Sequence, residues 1–128
     1  MEVWPLNELD ASSGRPEILA STDDARAILI ALAAGESLDD HVVHETAWLV
    51  VVAGAIEVTS LVSGDRHSGA VGTFVRFDPG ERHRVDAGVD ARFLLVLTPW
   101  PGPGHPGALS LEEKAQVRER AAERARET

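Results

Sequence analysis

The sequence predicts an all-β sandwich or barrel. Between about Glu17 and Leu97, short apolar runs recur, each bounded by glycine, aspartate or proline, and the runs are rich in β-branched residues. A third observation agrees: 128 residues with 44% hydrophobic content suit one domain with one core, stable without disulfide or metal staples.

The clearest strands are Trp48 to Ala53, Ile56 to Val62, Val71 to Phe77 and Ala91 to Leu97. Gly54 separates the first two closely enough for a hairpin. Ser63-Gly64-Asp65, Asp78-Pro79-Gly80 and Asp86-Ala87-Gly88 supply further reversals. The segment Asp23 to Ala34 has the alanine, leucine and acidic start of a helix taken alone. It is read as a strand, because Ile28-Leu29-Ile30 sits in a chain otherwise patterned as β and Gly35 closes it.

After Leu97 the texture changes. Thr98 to Gly107, TPWPGPGHPG, interleaves four prolines with glycine, so it forms no regular element and is a linker or a lid. Ser110-Leu111-Glu112-Glu113 is a capping box that opens a charged helix running nearly to Thr128. Its apolar face is thin, only Leu111, Ala115, Ala122 and Ala125, which predicts a helix exposed or docked on a partner subunit. The division expected is therefore a barrel with an N-terminal arm over 1–107 and a charged helix over 108–128.

Composition excludes several functions. With no cysteine there are no disulfides, thiol catalysts or thiolate metal sites. The net charge of −9 repels nucleic acid phosphate, so no DNA or RNA partner is expected. The first ten residues lack the basic start and apolar core of a signal peptide, and no apolar run reaches membrane-spanning length. A cytoplasmic protein is expected. No G-x-S-x-G elbow and no phosphate-cradling glycine loop is present.

Two spacings carry chemistry. From Gly35 the chain reads five residues to His41, then Val43, then Ala47, then Gly54. From Gly72 it reads five residues to Asp78-Pro79-Gly80, then His83, then Ala87. Together these resemble the two motifs of the cupin superfamily, G-x5-H-x-H-x3,4-E-x6-G and G-x5-P-x-G-x2-H-x3-N. The resemblance covers Gly35 to Ala87 and implies an antiparallel jelly-roll barrel whose mouth holds a metal on three histidines and a glutamate. The departures are specific. Val43 stands at the second histidine, Ala47 at the glutamate, Asp78 at the proline and Ala87 at the asparagine. Of the four family ligands only His41 and His83 remain.

Open metal sites usually need three protein ligands, so a neighbour has to complete the set. On an extended strand His41, Val43 and Glu45 share one face and His44 the other, which favours Glu45. In cupins a turn lies within this stretch, so His44 stays open as the alternative. Two histidines with Glu45 suit ferrous iron, whereas His44 in its place suits zinc, iron, copper or nickel. A divalent iron, zinc, manganese or nickel ion is the cofactor this implies, with no organic cofactor.

His67 and His105 are expected to be exposed and inert. Arg76, Arg82, Arg84 and Arg92 read as a solvated edge balancing nearby aspartates rather than a carboxylate clamp. Trp48 and Trp100 suit a core, an interface or the wall of an apolar pocket. Leu49 to Ala53 is apolar on both faces, so another sheet or a second subunit has to cover it. Because many cupins pair through outer strands, a homodimer is expected. Two functions stand side by side: a metal-dependent dioxygenase- or isomerase-like enzyme acting on a small molecule, and a metal-free barrel that binds a small ligand or supports assembly.

Overall fold

The computed structural model describes residues 1–103, for Asp40 and His41 the backbone alone, and within them nine strands in two antiparallel sheets. In chain order these are β1 (Glu17–Ser21), β2 (Arg26–Leu32), β3 (Ser37–His41), β4 (Thr46–Ala53), β5 (Ala55–Ser60), β6 (Arg66–Ala70), β7 (Phe74–Phe77), β8 (His83–Asp86) and β9 (Ala91–Thr98). One sheet has the order β1-β2-β9-β4-β7 and the other β3-β8-β5-β6. This is the jelly roll expected. The helix expected over 108–128, and His105, lie outside the described residues. Among the described residues no helix is long and apolar enough to cross a membrane.

Alternation along the strands builds the core. Ile30, Leu32, Ala47, Leu49, Val51, Phe93, Leu95 and Leu97 point inward from the five-stranded sheet, and Ile56, Val58 and Val85 meet them from the other. Each of these burials other than that of Ala47 contributes about 1.5–3 kcal/mol, and no other interaction here approaches their sum. Gly54 turns β4 into β5 at φ 68°, and a Cβ there would lie 2.1 Å from the Asp90 carbonyl oxygen. Only glycine fits that hairpin.

The segment with the mixed signal is a strand, β2, hydrogen-bonded between β1 and β9. Tertiary pairing outweighs the helical preference of its alanines and leucines. Three expected boundaries shift. The strand expected over 56–62 stops at Ser60, with Leu61 and Val62 exposed in the turn that follows. The strand expected over 71–77 begins only at Phe74. His67, just beyond the expected reversal at Ser63-Gly64-Asp65, lies within β6 and is exposed, because β5 supplies a register for this polar segment.

The outward face of the larger sheet is partly covered by the chain itself. Leu29, which alternates with the inward Ile28 and Ile30, is 0% exposed although it lies outside the core cluster. Residues 1–16 form an arm against this side of the molecule. Arg92 Nη1 donates to the carbonyl oxygens of Leu6 (2.9 Å) and Leu9 (2.7 Å), and Gly14 N–H donates to Ala31 O. Asn7 Nδ2 donates to Val52 O at 2.9 Å, where the β4–β9 register breaks between Val51 and Ala53. A bulge there leaves a carbonyl outside the ladder, and the arm satisfies it.

Candidate functional site

The connection from β3 to β4, Val42 to Glu45, forms one side of the barrel mouth. The chain bends at His44 and Glu45, and the two buried residues of the connection differ in kind: Val43 is 8% exposed and Glu45 1%. Gly80 N–H donates to Val43 O at 2.8 Å, tying this loop to the turn before β8.

A cavity of about 370 Å³ opens beside the loop. Ile28, Ile30, Leu38, Val43, Leu95 and Leu97 supply its apolar wall, Trp100 and Pro16 contribute from the rim, and His44 and Glu45 bring the polar atoms. The volume lies within the ~300–1,000 Å³ typical of small-molecule sites, as does the pairing of apolar walls with few polar groups.

The described part of the proline-rich segment, Pro99 to Pro103, is a strap at the mouth, with Trp100 lining the cavity and Gly102 bonded to Glu45. The Thr98–Pro99 and Trp100–Pro101 bonds are cis. Arg26 lies over Trp100, its guanidinium carbon 4.0 Å from the ring centroid. Gly102 N–H donates to Glu45 Oε2 at 2.7 Å in a buried contact. A Cβ at Gly102 would stand 2.6 Å from His44 O and 2.8 Å from Glu45 Oε2, so the approach requires glycine.

His83 starts β8 and is 2% exposed, its ring stacked on Phe77 with centroids 3.9 Å apart and 8° between planes. Nδ1 lies 2.9 Å from Glu81 O. A carbonyl oxygen only accepts, so Nδ1 carries the proton of that bond, and in the neutral ring Nε2 keeps its lone pair. Glu81 is fixed in turn. Its Oε1 accepts from Asp78 N–H at 3.0 Å and its Oε2 from Ser60 Oγ at 2.7 Å. The Asp78 bond first, then the Ser60 bond, hold the Glu81 carboxyl below its usual pKa against the opposing effect of partial burial.

The register of β3 with β8 places His41 opposite His83, so the two histidines read from the motifs do come together. Glu45 and His44 both line the mouth cavity, Glu45 buried and His44 half-buried. His83 is not among its lining residues. Among the described side chains, which do not include those of Asp40 and His41, no three histidine or carboxylate groups are placed to hold one ion. The four-donor centre of the resembled family does not fit this interior. Val43 and Ala47, at two of its ligand positions, are buried side chains without a donor atom, 8% and 0% exposed.

The arginines serve the surface. Arg84 Nε pairs with Asp86 Oδ1 at 2.9 Å and Arg76 with Asp78 at 3.5 Å, exposed contacts of little energetic weight. Arg92 fastens the arm, and none of the four arginines lines the cavity. Sequence reasoning missed Gly102, for which no periodic signal exists. The inward set Ile28, Ile30, Leu95 and Leu97 was available from two-residue alternation.

No protein-family model and no curated protein matches the sequence. Solved structures do match in shape. A cupin of the RmlC-like group from Desulfovibrio desulfuricans superposes with a TM-score of 0.70 at 18% identity, over 77% of this chain and 97% of the other. An uncharacterised protein with a double-stranded β-helix domain from Klebsiella pneumoniae gives 0.67 at 20% identity, over 80% and 92%. An RmlC-like cupin family protein from Methanocaldococcus jannaschii gives 0.64 at 21% identity, over 72% and 85%. The chain therefore has the cupin fold, the double-stranded β-helix. Fold alone does not carry an activity.

Proposed function

We propose that this protein binds a small, largely apolar organic molecule in the cavity at the barrel mouth. The observation that carries the reading is the cavity itself: about 370 Å³, walled by aliphatic side chains, with Glu45 as its buried polar contact. Val43 and Ala47 extend the apolar interior where the resembled family keeps polar ligands. Hexan-1-ol is a suitable neutral probe. A saturable rise in melting temperature is expected, and Leu38→Trp, which fills the half-buried rim of the cavity, is expected to remove it. No rise in the native protein, or an equal rise in the filled variant, defeats the reading.

A second reading is supported by the histidine pair. His41 and His83 are partners in the β3–β8 register, and Nδ1 of His83 bonds Glu81 O, a backbone bond of the kind usual in metal-ligating histidine. Glu45 or His44 would supply a third ligand for iron, zinc, manganese or nickel, and such an ion would act as a Lewis acid or dioxygen-binding centre for dioxygenase- or isomerase-like chemistry. Metal analysis of protein purified without an affinity tag tests this. Stoichiometric metal, lost in a His41→Ala, His83→Ala double variant, is the expected result under this reading; equal metal content in both proteins contradicts it.

A further inference from the structure

We propose that the mouth cavity selects amines, holding an organic ammonium group against Glu45 while the carbon body lies along Ile28, Ile30, Leu95 and Leu97. The inference deepens the proposed ligand-binding function and rests on it.

Glu45 is 1% exposed, and placing a carboxylate in such a setting is costly unless something compensates it. The protein compensates half of it. Oε2 accepts from Gly102 N–H, whereas Oε1 has no hydrogen-bond partner among the described residues. Those residues contain no enclosed side-chain polar atom without a partner, so Oε1 is open to the cavity that Glu45 lines. A vacant acceptor beside an aliphatic wall asks for a donor carried on an apolar body.

Charge decides which donor. Among the described residues no lysine or arginine lines the cavity, and the nearby guanidinium of Arg26 lies over the ring of Trp100 instead of on the carboxylate. His44, half-buried at the rim, is the other titratable group among the described lining residues. An ammonium group offers Oε1 a hydrogen bond and a countercharge together, an alcohol offers the bond alone, and a carboxylate is repelled. The chain's net charge of −9 adds an attractive field for a cation.

Calorimetric titration of the full chain with hexylammonium, hexan-1-ol and hexanoate at neutral pH tests the proposal. Hexylammonium is expected to bind about tenfold or more tighter than hexan-1-ol, the scale of one charge-assisted hydrogen bond, with hexanoate weakest. Glu45→Gln keeps an acceptor for Gly102 N–H and removes the charge, so the two affinities should converge. Added salt should weaken hexylammonium alone, a measurement that stands even if the variant folds poorly. Equal binding of alcohol and amine to the native protein, or a preference unchanged in Glu45→Gln, overturns amine selection and leaves the apolar cavity standing. Binding of none of the three overturns the proposed function with it.

Discussion

Glu45 and Gly102 lie 57 residues apart, one just before β4 and the other beyond β9, yet a buried 2.7 Å hydrogen bond joins them. The bond fixes the strap at the mouth and orients the carboxylate beside the cavity. Its geometry leaves no room for a side chain at Gly102. Gly102→Ala is expected to lower stability by about 1–3 kcal/mol, through the displaced strap and the lost bond to a buried carboxylate. Urea unfolding measures it, and an unchanged midpoint would count against the strap as a structural element.

Acid should weaken the turn that carries His83. The carboxyl of Glu81 is held below its ordinary value of 4.5 by Asp78 N–H and then Ser60 Oγ. A carboxyl with a depressed folded pKa adds stability that is complete above the unfolded value and fades as pH falls through the folded one. The stability difference between native protein and Glu81→Gln should therefore be present above pH 4.5 and shrink below it. Denaturation midpoints recorded across that range check the sign. A difference that grows on acidification contradicts the assignment.

Arg92 should govern the N-terminal arm separately from the barrel. Its guanidinium meets two arm carbonyls, and Arg92→Met keeps much of the stem while removing both bonds. Hydrogen exchange over residues 5–12 is expected to quicken about tenfold or more, since charge-assisted bonds of this kind contribute about 1.5 kcal/mol or more. Core strands such as β4 should exchange as before. Unaltered exchange in the arm would show that other contacts hold it.

Much of the barrel was legible because its signals are local. The strand expected over 91–97 is β9, since its apolar run is long, partly β-branched, and bounded by Asp90 and Pro99. β6 was missed for the opposite reason: Arg66–Ala70 carries no strand signal of its own and takes its conformation from β5. At the site, motif spacing found His83 and its register partner His41, and strand parity favoured the inward Glu45. His44, which parity put on the opposite face, lines the same cavity as Glu45, because the chain bends at these two residues before β4. The strap at the mouth was anticipated only as a linker or lid. Its anchor depends on a long-range backbone approach that no periodicity encodes.

The two sides of β9 have a practical consequence for anyone who handles this protein. On one side Arg92 grips the first residues of the chain, and on the other Leu95 and Leu97 form the cavity wall. A purification handle or fusion partner attached at Met1 thus pulls, through the short stretch ahead of Leu6, on the strand that forms the back of the binding chamber. Handles at that end belong among the variables of any affinity measurement, and cleaving them is the appropriate control.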